Sequence, residues 1–244
     1  LFSAEARLER GLIYYDLFRT EEALADFEFV VAAYPQSPSA EQAFYMRALC
    51  HYRLWRDDEA FTVARTFLHR YPESRWRNDV LFWIARNEFN VGQYESAERD
   101  FMEFVTLYRR DVRVDDALLL AGLAAAKRKE YGVAMQHFSQ LVKEFPDSDR
   151  LAETRFAQAD ALREQGRLPE AVLIFEEIII KYPNSDLVAP AWGLKGDCQF
   201  TLGAEDPRRY AEALESYRVV AHSSTASLDL VLQAEYKIGR CLEK

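Results

Sequence analysis

Hydrophobic residues recur along this chain with the spacing of amphipathic helices. Between residues 40 and 54 the apolar positions lie three or four residues apart, on one face of a helix: Phe44, Tyr45, Ala48, Leu49 and Tyr52. A second helix is predicted from about Asp58 to Tyr71, because acidic residues favour a helix start and Pro72 directly follows its end. The pattern therefore predicts pairs of helices.

The same pattern returns every 37 residues in four sets of positions. The first set is aromatic: Tyr34, Tyr71, Tyr108, Phe145 and Tyr182. The second set is small: Gly11, Ala48, Ala85, Gly122, Ala159 and Gly196. The third is alanine: Ala23, Ala60, Ala97, Ala134, Ala171 and, after an insertion, Ala213. The fourth is aromatic except for Ala64: Phe27, Phe101, Phe138, Phe175 and Tyr217. Such repetition predicts stacked hairpins that bury their apolar faces against one another.

A short sequence separates successive hairpins. An aromatic residue is followed by proline and, two residues later, by serine, in copies that begin at Tyr34, Tyr71, Phe145 and Tyr182. Proline cannot continue the preceding helix and serine can cap the next one, so this sequence predicts a link between helices. Ser39 and Gln42 have capping-box spacing, which predicts that the helix after the first link begins near Ala40.

These residues together resemble the tetratricopeptide repeat (TPR). The shared order is Gly or Ala in the first helix, Ala twelve residues later, an aromatic residue four beyond it, and a terminal proline. The aromatic-Pro-X-Ser link is similar to that of a subclass found in bacterial outer-membrane assembly lipoproteins and in the periplasmic coordinator of the Tol–Pal system. The resemblance covers nearly the whole chain. It implies an all-α fold, a right-handed α–α superhelix of about six helical hairpins plus a terminal helix.

Six repeats fit at about residues 1–37, 38–74, 75–111, 112–148, 149–185 and 186–226, and residues 227–244 begin a seventh. We expect one solenoid domain over residues 1–244. Arg109 replaces the link proline after the third repeat, so that junction is expected to bend differently. The segment GAEDPRR lengthens the turn inside the sixth hairpin. It is either a contact loop or a tolerated insertion.

Composition narrows the classes of protein to consider. With 49% hydrophobic and 29% charged residues, the chain can bury a substantial core. No run approaches 18 uninterrupted apolar residues, so no membrane-spanning helix is predicted. The first residue is Leu1 and no basic and apolar leader follows, so we expect any signal peptide to have been removed or to lie upstream.

The sequence contains no familiar catalytic motif. HExxH, GxxxxGK[ST] and GxSxG are all absent, and the four histidines lie in different predicted helices: His51, His69, His137 and His222. We therefore predict no enzymatic activity, no cofactor and no metal site. The three cysteines lack CxxC spacing and are predicted to be buried free thiols: Cys50, Cys198 and Cys241.

Arginines around the second repeat alternate with Trp55 and Trp76, a composition that could suit an anionic polymer. However, Asp57, Asp58 and Glu59 interrupt them, and a helix surface with many ion pairs explains the same residues. The formal net charge of −9 gives no overall reason to bind DNA or RNA. No nucleic-acid partner is expected.

The TPR resemblance implies that the first helix of each repeat lines a concave face, where a peptide or partner protein binds. The candidate binding residues on this face are Tyr45, Arg53, Phe82, Trp83, Arg86 and Asn90. Two stripes with 37-residue spacing bear on the prediction. One is Leu8, Tyr45, Phe82, Leu119 and Phe156, and the other is Tyr15, Tyr52 and Phe89. Each is either an aromatic groove or part of the core.

The sequence therefore favours a non-enzymatic protein interaction scaffold, and the resemblance of its aromatic-Pro-X-Ser link implies a bacterial cell-envelope complex in the periplasm or at the outer membrane. The thiols favour a reducing compartment, so a cytoplasmic location is the alternative. Two other functions stay open: a module that binds carbohydrate or cell-wall polymer, and the recognition arm of a larger multidomain protein. The terminal helix, about Leu228 to Leu242, is a candidate for self-association, because a second copy of the chain could bury its apolar residues.

Overall fold

A computed structural model describes residues 3–244, and this part of the chain consists of α-helices joined by short turns. The helices are α1 (Ala4–Asp16), α2 (Thr20–Ala33), α3 (Pro38–Arg53), α4 (Asp57–Arg70), α5 (Arg77–Asn90), α6 (Tyr94–Leu107), α7 (Val114–Lys127), α8 (Tyr131–Glu144), α9 (Leu151–Glu164), α10 (Leu168–Lys181), α11 (Val188–Leu202), α12 (Arg208–Ala221) and α13 (Leu228–Leu242). The described residues contain no strand, and the predicted all-α helical-repeat class is confirmed.

Two compact units make up the described chain. The N-terminal unit ends at Gly92 and the C-terminal unit begins at Gln93, in the turn between α5 and α6. Within each unit the main packing joins helices that are consecutive in the chain. The first helices of successive hairpins also touch, as α1 touches α3 and α11 touches α13. The single domain that the sequence predicts stays a prediction.

The links between hairpins share one backbone geometry. In each, the amide of the serine, or of Asp111 in the third link, donates to the carbonyl of the aromatic residue three positions earlier, at 2.8 to 3.1 Å. Asp111 also accepts hydrogen bonds at its side chain from the backbone and guanidinium of Arg113. The link without proline thus keeps the common backbone hydrogen bond, and the Asp111 carboxylate replaces the serine hydroxyl as acceptor for the amide two residues later.

The start of α3 differs from the prediction. The helix begins at Pro38 with Ser37 at its N-cap, so the Ser39 to Gln42 capping box does not form. Proline is well suited to the first position of a helix, because its missing amide hydrogen would have no helical partner there. The hydroxyl of Ser37 donates to the carbonyl of Tyr34 at 2.9 Å, which ties the helix start to the preceding link.

The small residues of the first helices lie under aromatic rings of the second helices. A β-carbon built on Gly11 would lie 2.6 Å from Cε1 of Phe27, and one on Gly196 would lie 2.6 Å from Cε1 of Tyr217. Both rings are 2% exposed or less. The fixed spacing between the small and the aromatic positions is therefore explained by packing. The aromatic ring of the second helix occupies the space that a larger side chain on the first helix would fill.

The cysteines are buried free thiols, as predicted. Cys50, Cys198 and Cys241 are all buried in the cores of their units. Burial raises the pKa of Cys50 to about 12 and that of Cys198 to about 11. The neutral thiol is therefore the stable form of both side chains.

Candidate functional site

In the N-terminal unit, aromatic and arginine side chains connect three successive first helices. The Arg53 guanidinium of α3 donates to the carbonyl of Tyr15 at 2.6 Å and lies 3.4 Å from the centroid of the Tyr15 ring. One residue earlier, Tyr52 meets Trp83 of α5 edge to face, with centroids 5.6 Å apart. We call Tyr15, Tyr52, Arg53 and Trp83 the first-helix strip.

The electrostatics of the strip come from Arg53. Burial raises the pKa of the Tyr15 hydroxyl, and the nearby Arg53 opposes this only in part, so the phenol stays neutral. Tyr52 is 52% exposed, whereas Arg53 and Trp83 are half-buried. The strip therefore offers an aromatic surface with one fixed positive charge, a composition that is common at binding hot spots.

The structure separates the predicted binding residues into covered and open ones. Phe82 is buried, and Tyr45 is half-buried with its ring stacked on Trp76 at 5.3 Å. Arg86 and Asn90 are exposed on α5, the helix that carries Trp83. Trp83 contacts Tyr52, the neighbour of Arg53 on α3, whereas Arg53 itself contacts Tyr15. A binding role for these residues stays a prediction.

Burial also distinguishes the two stripes. The first has three buried and two half-buried members, so it belongs to the core: Leu8, Tyr45, Phe82, Leu119 and Phe156. The second reaches the surface at Tyr52, which was not among the predicted binding residues. Exposed Phe18 was missed, and exposed Trp55 was considered only for an anionic polymer, although their 37-residue spacing was a usable signal.

A cleft of about 260 Å³ lies in the C-terminal unit and is lined mainly by α11 and α13, both of them first helices. Asp197 accepts a hydrogen bond from the Tyr217 hydroxyl at 2.8 Å and an ion pair from Lys237 at 2.7 Å. Tyr236 and Arg240 complete one wall. Burial and then Asp197 raise the pKa of Tyr217, so this hydroxyl remains a hydrogen-bond donor.

Over residues 3–244, no group of three or more acidic, histidine or cysteine side chains could hold a metal ion. In the same range no helix is long and apolar enough to cross a membrane.

A tetratricopeptide repeat model matches residues 84–149 and 156–227, more than half of the chain. The chain belongs to the tetratricopeptide repeat family. TPR proteins form a family of non-enzymatic interaction scaffolds, so the fold supports protein–protein interaction. A second model, described as an outer membrane lipoprotein, matches residues 2–103. No curated protein matches this TPR chain.

Solved TPR structures resemble the chain over most of its length. A TPR protein from Parabacteroides merdae is 18% identical with a TM-score of 0.66, covering 98% of this chain and 89% of its own. YrrB, a TPR protein with an unusual peptide-binding site, is 16% identical with a TM-score of 0.61, covering 78% of this chain and 91% of its own. PilW, a type IV pilus biogenesis factor, is 17% identical with a TM-score of 0.56, covering 94% and 98%. At such identities the likeness concerns the fold alone.

Proposed function

We propose that this TPR protein is a non-enzymatic scaffold that binds a peptide or partner protein on the first-helix face of its N-terminal unit. The observation that carries the proposal is the first-helix strip, in which Arg53 contacts Tyr15 and the neighbouring Tyr52 contacts Trp83. These contacts fix the side chains before a partner arrives, so binding orders few groups on this side of the interface. Exposed Arg86 and Asn90 extend the face along α5.

We place this function in a bacterial cell envelope, in the periplasm or at the outer membrane. The support is the outer membrane lipoprotein model that matches residues 2–103, together with the likeness to PilW. The peptide-binding site named for YrrB supports a peptide or protein ligand. The proposal assigns no catalysis to the chain.

Site-specific photo-cross-linking in cells tests the face and the compartment together. A cross-linking residue at Arg86 or Asn90 is expected to trap an envelope protein, and Arg53→Ala is expected to reduce the yield. The same cross-linker at exposed Thr66 on α4, a second helix, is the matched control and is expected to trap none. Equal trapping at Thr66, or trapping only of cytoplasmic proteins, would contradict the proposal.

A cell-wall ligand is the competing function, because aromatic side chains also stack on sugar rings. Soluble peptidoglycan fragments can be titrated while tryptophan fluorescence is followed. We expect no quenching. Quenching that Trp83→Ala abolishes would replace the protein partner with a glycan.

We also propose that α13 mediates self-association. Leu228, Leu232 and Leu242 are more than half exposed on this helix. A β-carbon built on Gly239 would meet nothing within 4 Å, whereas the equivalent atom on Gly196 would meet the Tyr217 ring. A helix that carries an aromatic residue would fit the open position above Gly239, and a second copy of the chain can supply one.

Sedimentation velocity over a range of protein concentrations tests this association. Wild-type protein is expected to form a dimer that Leu232→Asp disrupts. Leu173→Asp, at a similarly exposed leucine of α10, is expected to leave the dimer intact. A monomer at every concentration would contradict self-association. It would not affect the proposal for the first-helix face, which the cross-linking experiment tests.

A further inference from the structure

Five hairpin turns hold one residue each in the left-handed backbone region, again 37 residues apart. Their φ angles lie between 58° and 82°: Phe18, Trp55, Gly92, Lys129 and Gly166. A residue with a side chain is strained in this region, whereas glycine adopts it without strain. Two turns carry glycine, yet the first two carry large aromatic residues.

The hydrogen bonds that end the helix require this left-handed conformation, whichever side chain the residue carries. At the second turn the amide of Trp55 donates to the carbonyl of Tyr52 at 3.1 Å, and the amide of Arg56 donates to that of His51 at 3.0 Å. The turn at Gly166 has the same two bonds, to Arg163 and Leu162. The motif ends a helix and favours glycine, so an aromatic ring is not needed to form it.

The aromatic rings of these turns also contribute little to the core. Phe18 is 80% exposed and Trp55 is 87% exposed, and their neighbour Leu17 is 61% exposed. The Arg53 guanidinium lies 5.1 Å from the centroid of the Phe18 ring, so the residue two positions before Trp55 reaches the first turn. Strained, exposed aromatic residues at successive turns indicate a role outside folding.

Charge identifies the kind of partner. Asp57, Asp58 and Glu59 follow Trp55, are exposed, and form no ion pair with any described residue. Two nearby arginines are already neutralised, because Arg19 pairs with Glu22 at 2.9 Å and Arg56 pairs with Glu21 at 2.7 Å, so these three carboxylates outnumber the single guanidinium of Arg53. The surface beside Trp55 is therefore negative, which disfavours nucleic acid and anionic lipid and favours a cation.

We propose that Leu17, Phe18, Trp55, Asp57 and Asp58 form a second docking surface, the turn surface, for a basic and apolar segment of a partner protein. The indole face of Trp55 takes an arginine or lysine cation, Asp57 and Asp58 pair with further cations, and Phe18 and Leu17 bury apolar side chains. This surface lies at the hairpin turns and uses none of the residues that define the first-helix strip.

A peptide of twelve alternating arginines and leucines serves as the probe, with a glutamate and leucine peptide of the same length as its control. Fluorescence anisotropy of the labelled peptides is measured against the full chain. We expect the arginine peptide alone to bind, more weakly as salt is raised. Phe18→Gly with Trp55→Gly should weaken this binding at least tenfold while raising the thermal midpoint. Asp57→Asn with Asp58→Asn should weaken it and reduce its salt dependence.

Lys129→Gly is the matched control, because it relieves the same backbone strain in a turn without an aromatic residue. It should raise the thermal midpoint and leave peptide binding unchanged. Equal peptide binding by the wild type and the double glycine variant would overturn the proposal. Binding of phosphatidylcholine vesicles instead of the peptide would also overturn it, since the surface would then be a lipid contact. Neither result bears on cross-linking from Arg86.

Discussion

Gly122 of α7 lies directly beneath the ring of Phe138 of α8, which is completely buried. A β-carbon at Gly122 would lie 2.3 Å from Cε1 of Phe138, closer than any contact can be. Gly122→Val is therefore expected to lower the free energy of unfolding by about 2 to 3 kcal/mol, in the range of overpacked cores. Chemical denaturation followed by circular dichroism measures the change.

Gly132→Ala is the control for this prediction. Gly132 lies in α8 as well, but a β-carbon there would meet nothing within 4 Å. Because alanine loses less backbone entropy than glycine, the variant is expected to gain about 0.5 kcal/mol. A loss at Gly132→Ala similar to that at Gly122→Val would contradict this explanation, because a side chain would then destabilise the hairpin even where no ring lies over it.

At two left-handed turns of the C-terminal unit, substitutions are expected to change stability in opposite directions. Lys129→Gly should stabilise the protein and Gly166→Ala should destabilise it, each by about 1 kcal/mol, because only glycine adopts a positive φ without strain. Paired urea denaturation curves measure both changes. The same sign for both substitutions would show that backbone strain is not the dominant factor at these turns.

The thiols are expected to be unreactive in the folded protein. Burial raises the pKa of Cys50 to about 12 and that of Cys198 to about 11, so almost no thiolate is present at neutral pH. An aromatic disulfide reagent should label neither thiol until denaturant is added. Thr66→Cys, which introduces a thiol on an exposed part of α4, should be labelled at once. Rapid labelling of Cys50 in the native wild type would contradict the packing of the N-terminal unit.

Asp26 should make stability depend on pH in the acid range. Burial raises the pKa of this carboxyl, but hydrogen bonds from Arg10 and Arg7 outweigh burial and hold the pKa below its ordinary value. The folded state therefore binds the proton less tightly than the unfolded state does. This stabilisation is present above about pH 4 and is lost as the pH falls through the lowered pKa.

Unfolding free energies measured from pH 6 down to pH 2 test this expectation. The wild type should lose stability below about pH 4, and Asp26→Asn should be less stable at pH 6 and show a flatter profile. Asp16→Asn, at an exposed position of α1, should keep the wild-type profile. A steep acid loss retained in Asp26→Asn would assign the pH dependence to other carboxyls.

Most of the fold could be predicted because the same apolar spacing recurs in every repeat. The helix starts were less predictable: α3 begins at Pro38, since proline at the first position and Ser37 before it outcompete the capping box. The third link keeps its backbone hydrogen bond without proline, and the Asp111 carboxylate accepts from the Arg113 amide as serine hydroxyls do in other links.

The candidate site was less accessible to sequence reasoning. Tyr45 and Tyr52 are two turns apart on α3, yet Trp76 covers the first while the second stays open. Trp76 lies in an irregular link, so helical periodicity cannot position it. Phe18 and Trp55 could have been found, because Gly92 and Gly166 hold the equivalent positions and glycine marks a left-handed turn.

The shared geometry of the links constrains how the chain can change length. The five links from α2 to α11 close with the same amide-to-carbonyl hydrogen bond, and the extended turn around Asp206 lies inside a hairpin. Duplicating or deleting a 37-residue block between two of these links would keep the residues that form this hydrogen bond at the remaining links. A repeat array of this kind can gain or lose whole hairpins while its links keep their hydrogen bond. A single residue added to a link would instead change the position of each later helix relative to the helix before it.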